Sequence, residues 1–171
     1  MKKVLIALCS IIIVLACAAC STQGLVTTVP TVTPECKNAE MQEIYSYLSE
    51  AKLINDQAVV LEASYVGADE GYRFSASGFG NIEIYYFTDN QKSSKEEGNI
   101  YTSAKSGEVE IFGSKYKSVI SSDGNIVMLY ASDVKTDDMS APNLMTAVEK
   151  YPEKEIVNTD TVASSANASS K

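Results

Sequence analysis

Glycine turns set at short intervals constrain this chain most. Gly67-Ala68-Asp69-Glu70-Gly71 stands between the runs 59–66 and 72–76, and Ser77-Gly78-Phe79-Gly80 separates the second run from 81–87. Links this tight leave no room for a crossover helix, so the three runs predict an antiparallel meander. In the first run Val59, Leu61, Ala63 and Tyr65 share one face. In the third, Ile82, Ile84 and Tyr86 alternate with Glu83 and Tyr85. Asp123-Gly124 is the strongest short hairpin signal in the chain; it joins a strand at 116–120 to one at 126–130, and 109–112 supplies another.

Helical periodicity surrounds these strands. Met41, Ile44, Tyr45, Leu48 and Ala51 recur at three- and four-residue spacing, with Asn38 as N-cap and Asn55-Asp56 as the stop. Ser94-Lys95-Glu96-Glu97 fits a capping box ahead of Ile100, Tyr101 and Ala104. A helix is therefore expected over 94–106, ending at Gly107, with Gly98 tolerated at a cost of about 1 kcal/mol relative to Ala. A last helix over 142–150 opens on Pro142 and carries Leu144, Met145 and Val148 as its apolar stripe. The order is α-β-β-β-α-β-β-β-α. It predicts an α+β fold: one small domain, an antiparallel sheet of five to six strands, and two or three helices on one face.

The chain opens on Met1-Lys2-Lys3 and an apolar run over 4–16 broken only by Ser10, with cysteines at 17 and 20. A positive start, a short apolar stretch and small residues at its end make an export signal. The run falls short of the roughly 20 residues that span a bilayer. With its cysteines it resembles a bacterial lipoprotein signal, in which a lipid is added to a cysteine thiol and the chain is cut just before it. Val14-Leu15-Ala16 makes Cys17 the preferred attachment residue. Cys17-Ala18-Ala19 before Cys20, with Ser21-Thr22 after it, keeps Cys20 as the alternative. The resemblance implies an extracytoplasmic protein anchored to the cell membrane. Residues 1–20 are then signal and lipid-attachment region, 21–37 a Thr/Pro-rich tether, 38–151 the α+β domain and 152–171 a disordered Ser/Ala-rich tail. The domain also resembles small clostridial-type lipoproteins of unknown function, a likeness that implies no activity.

Composition narrows the function. The net charge is −8, and the leader would remove Lys2 and Lys3 as well. Such a chain repels nucleic acid, which is not expected as a partner. Histidine is absent, which removes Ser-His-Asp and Cys-His nucleophiles and imidazole zinc ligands. Cys36 has no base nearby in sequence; it is instead a candidate to pair with Cys20 if Cys17 carries the lipid. The turn at 77–81 lacks the Gly-Lys-Ser/Thr ending and the following helix of a phosphate loop. Asp89, Asn90, Glu96 and Glu97, and separately Asp133, Asp137 and Asp138, fail the calcium-loop spacing. No cofactor or metal site and no catalytic residue is therefore assigned.

Ten tyrosines remain. Tyr85 and Tyr116 are the candidate ligand-binding residues, as an aromatic platform offering ring area with a polar handle. Tyr85 lies opposite the Ile82–Ile84 face, so its truncation is expected to leave stability largely intact. The expected role is a non-catalytic binding module for a protein, peptide or glycan in the cell envelope. The alternatives are a carboxylate-dependent envelope hydrolase and an inhibitor or assembly factor for an envelope enzyme.

Overall fold

The computed structural model describes residues 30–134 and 140–153. Both candidate lipidation residues, Cys17 and Cys20, lie outside them, as do Asp137, Asp138 and the expected tail beyond Glu153. The described chain builds α1 (Ala39–Glu50), β1 (Ile54–Val60), a 3-10 turn (Ala63–Val66), β2 (Glu70–Ala76), β3 (Gly80–Tyr86), α2 (Asp89–Ser93), α3 (Tyr101–Ala104), β4 (Glu108–Ile111), β5 (Ser114–Ile120), β6 (Ile126–Ala131) and α4 (Ser140–Glu149). The strands form one antiparallel sheet in the order β1-β2-β3-β6-β5-β4. Two three-stranded meanders thus meet along β3 and β6, the expected α+β class.

Local chemistry explains the elements that match expectation. Asn38 caps α1, its side-chain oxygen accepting from the Glu40 and Met41 N–H groups at 2.8 and 3.3 Å. Met41, Ile44, Tyr45 and Leu48 are the buried stripe of that helix. The 77–81 segment is a hairpin turn, with Phe79 folded inward edge-on to Tyr130 at 5.1 Å. At Asp123-Gly124 the Asp123 carboxylate accepts from Ser121 Oγ and the Asn125 N–H.

Three expectations are corrected. The first strand is displaced to Ile54–Val60, and Ala63–Val66 is a 3-10 turn closed by Gly67 at φ +73°. Val60 and Tyr65 are consequently exposed. Of the expected 94–106 helix only α3, Tyr101–Ala104, forms; the short α2 ends at Ser93, before that segment begins. Gly98 adopts φ +89°, and Asn99 Oδ1 accepts from the Tyr101 N–H at 2.9 Å; between them a new start replaces continuous helix. Finally, helices cover both faces. One core joins α1 and α4 to Phe74, Ile82, Ile84 and Met128; the other joins the 3-10 turn and α3 to Tyr85, Phe87, Val127 and Leu129.

Part of the expected tether belongs to the domain. Val32 makes two 2.8 Å backbone bonds with Ala58 on edge strand β1, and Pro34 is buried. Buried Glu70 holds the entry to α1, accepting from the Lys37 and Asn38 N–H groups at 2.8 and 2.9 Å and from Tyr72 Oη at 2.8 Å.

Glu40 and Asp123 share Asn125, whose Nδ2 donates to both Glu40 oxygens at 2.9 and 3.0 Å and to Asp123 at 3.2 Å. Burial, then the hydrogen bond with Asp123, raises the Glu40 carboxyl above its ordinary 4.5. At Asp123, burial pushes the same way but is outweighed by hydrogen bonds from Glu40, Asn125 and Ser121, and the net direction is down. A raised carboxyl contributes stability that is present below its ordinary value and lost as pH rises through the raised one. The depressed Asp123 acts in a separate window, losing its contribution as pH falls below 3.8. Glu40→Gln, which never ionises, should therefore gain stability relative to wild type as pH rises above 4.5. Urea unfolding across pH tests this, and a difference independent of pH would refute the assignment.

Candidate functional site

β2 and β3 place Arg73 and Glu83 directly opposite each other on the face away from α1 and α4. Arg73 is the only arginine in the chain. Its Nε and Nη2 both donate to Glu83 Oε1, at 3.1 and 2.6 Å. The other carboxylate oxygen, Oε2, accepts from the Tyr85 hydroxyl at 2.8 Å. Glu83 is only 8% exposed, whereas the Arg73 side chain is 41% exposed. The acid thus accepts three hydrogen bonds from two side chains, beneath a guanidinium that still meets solvent.

Tyr85 is 5% exposed, so it is no open platform. Its ring lies over Gly71, its cross-strand partner: a Cβ at Gly71 would stand 2.6 and 2.7 Å from two of its ring carbons. Burial, then the neighbouring Glu83 charge, raises the phenol well above its usual range. The hydroxyl therefore stays protonated and acts as a neutral donor.

These groups form the floor of a cleft of about 330 Å³ between the 3-10 turn and the β4–β5 hairpin. Glu62, Tyr65, Phe112 and Tyr116 also line it. The structure thus brings the two sequence-predicted tyrosines to one site, Tyr85 in its floor and half-buried Tyr116 on β5 in its lining. Sequence reading missed Arg73, Glu83, Tyr65 and Phe112. Tyr65 and Phe112 are 68% and 89% exposed and meet edge to face, their ring centroids 6.5 Å apart.

Phe112 occupies an unusual backbone state. With Gly113 it makes the two-residue β4–β5 turn, closed by the Ile111–Ser114 pair, at φ +48° and +80°. Such turns favour Asn, Asp or Gly at the first position. An aromatic residue held there costs of order 1–3 kcal/mol and buries little in return. That combination presents the Phe112 ring to solvent at the hairpin tip.

Cys36 is half-buried against the first core, and burial, then the Glu70 carboxylate, pushes its thiol up to about 11. Little thiolate forms at neutral pH, so it is a poor nucleophile. Among the described residues no group of three or more His, Cys, Asp or Glu could hold a metal ion, and no helix is long and apolar enough to cross a membrane. Comparison of the chain with protein-family models, with curated proteins and with solved structures finds no match.

Proposed function

We propose that this chain is a lipid-anchored extracytoplasmic lipoprotein whose domain is a non-catalytic binding module in the cell envelope, with its ligand in the Arg73–Glu83–Tyr85 cleft. The observation that carries the binding reading is the exposed Tyr65–Phe112 pair standing over a polar floor. Small-molecule sites combine apolar walls with a few placed polar groups in this way. The leader ending at Cys17 and Cys20 supports the anchor.

Hydrolysis by carboxylates finds less support. Each Glu83 oxygen already accepts at least one hydrogen bond, and Glu62 Oε1 accepts from Ser64 Oγ at 2.7 Å. The inhibitor or assembly-factor reading has one observation in its favour, the presentation of Phe112 on a hairpin tip. Stable co-purification with a single envelope enzyme would favour it over ligand capture.

A photo-crosslinking phenylalanine analogue at position 112 should capture an envelope component in living cells. The same analogue at Glu50, exposed at the end of α1, should not. Equal capture at both positions, or at neither, would overturn the binding reading. Anchoring has its own test: labelled palmitate should enter the wild-type protein and vanish from the Cys17→Ala, Cys20→Ala double variant. The two single variants decide which cysteine is modified, and label persisting in the double variant would refute the anchor.

A further inference from the structure

We infer that the cleft takes a neutral pyranose sugar, stacked at the Tyr65–Phe112 rim with adjacent hydroxyls on the Arg73–Glu83 pair. This rests on the binding reading above and names the ligand class for that site.

Charge selects a neutral ligand. Arg73 and Glu83 neutralise each other in the floor. An anion would meet Glu62 in the lining and the field of a chain carrying −8; a cation would have to lie against the Arg73 guanidinium.

Hydrogen-bonding capacity selects hydroxyls. A guanidinium has five N–H donors and a carboxylate about four lone-pair sites. Glu83 Oε1 takes one bond from Nε and one from Nη2, and Oε2 takes one from Tyr85. The floor therefore keeps unused donors on Arg73 beside unused acceptor capacity on Glu83 Oε2. Neighbouring sugar hydroxyls, each both donor and acceptor, match that juxtaposition. An extended peptide needs instead a row of alternating backbone donors and acceptors, which a sheet edge offers and a sheet face does not.

The rim selects a flat apolar surface. Tyr65 and Phe112 meet at an interplanar angle of 74°, so their faces point in different directions and enclose a corner. The C–H face of a pyranose supplies the complementary apolar plane while its hydroxyls remain on the ring edge. At about 330 Å³ the cleft stands at the lower end of small-molecule sites, the scale of a glycan terminus.

The test uses the intact protein in detergent micelles, labelled with 4-fluorophenylalanine, which places one fluorine on each of its 4 phenylalanines. Methyl β-glucoside, methyl α-mannoside, methyl β-galactoside and N-acetylglucosamine are titrated to millimolar concentration, with glucuronate and tri-alanine as the charged and peptide comparisons. At least one neutral sugar should shift the Phe112 resonance saturably while buried Phe74, Phe79 and Phe87 stay in place. Arg73→Lys removes the planar fork and should weaken that sugar about tenfold or more. Tyr65→Ala should weaken it about fivefold or more, the level that separates contributing interface residues from neutral ones. Unmoved Phe74, Phe79 and Phe87 signals in both variants show that the fold is retained. A Phe112 shift with tri-alanine or glucuronate alone overturns the sugar assignment and leaves the binding reading standing. Silence with every probe also overturns it, and crosslinking at position 112 then decides separately whether the binding reading falls.

Discussion

Truncating Tyr85 to Ala should lower the free energy of unfolding by about 3–5 kcal/mol, the range for removing a buried aromatic ring. The ring fills the space left by Gly71 and belongs to the second core with Ala63, Phe87 and Leu129. Tyr85→Phe keeps that packing and loses only the hydroxyl bond to Glu83. Its cost should be smaller, about 1.5–3 kcal/mol for a bond to a charged acceptor. Urea unfolding of the two variants gives the comparison. A Tyr85→Ala cost below about 0.5 kcal/mol, the level of an ordinary surface change, would mean the ring is not packed there. The outcome expected here reverses the sequence-based view that Tyr85 could be truncated with little loss. Gly71→Ala should be damaging for the reciprocal reason, since its methyl would enter the ring.

The source of that reversal is physical. Two-residue periodicity says which side chains share a face of a strand, and it correctly set Tyr85 opposite Ile82 and Ile84. It does not say what covers the second face. Here the cover comes from the 3-10 turn and α3, segments whose sequence reads as continued strand and continued helix. A signal for the covered face was nevertheless present: β6 reads Ile-Val-Met-Leu-Tyr-Ala, an unbroken apolar run suited to a strand buried on both sides. The capped helix α1, the 77–81 turn and the Asp123-Gly124 hairpin were legible because their determinants are local. The cleft was not, because Arg73, Glu83, Tyr65 and Phe112 converge only through sheet pairing and a displaced β1. Phe112-Gly113 carried a half-signal, a glycine between two strand-like runs, obscured by an aromatic where turn chemistry calls for Asn or Asp.

Ile84→Ala should cost about 2–5 kcal/mol through lost transfer energy and a residual cavity. Ile84 is 1% exposed in the centre of the sheet, paired with Tyr72 on β2 and Met128 on β6, beneath the α1 and α4 core. Alternation alone would make Glu83, on the face opposite Ile84, a surface position where substitution costs about ±0.5 kcal/mol. The structure removes that contrast. Glu83→Ala deletes the acceptor of both Arg73 and Tyr85, and bonds to a charged group contribute about 1.5–3 kcal/mol. Arg73 can rehydrate from its exposed side, which keeps the loss below that of a fully buried pair. Comparable costs at positions 83 and 84 are therefore compatible with the strand, and the register needs a test within one face. A double-mutant cycle between Ile84→Ala and Met128→Ala supplies it. Cross-strand neighbours sharing one core should couple by about 0.5–3 kcal/mol, whereas a one-residue slip would put the two side chains on opposite faces. Additivity within about 0.3–0.5 kcal/mol would show that β3 and β6 do not pair as the fold requires.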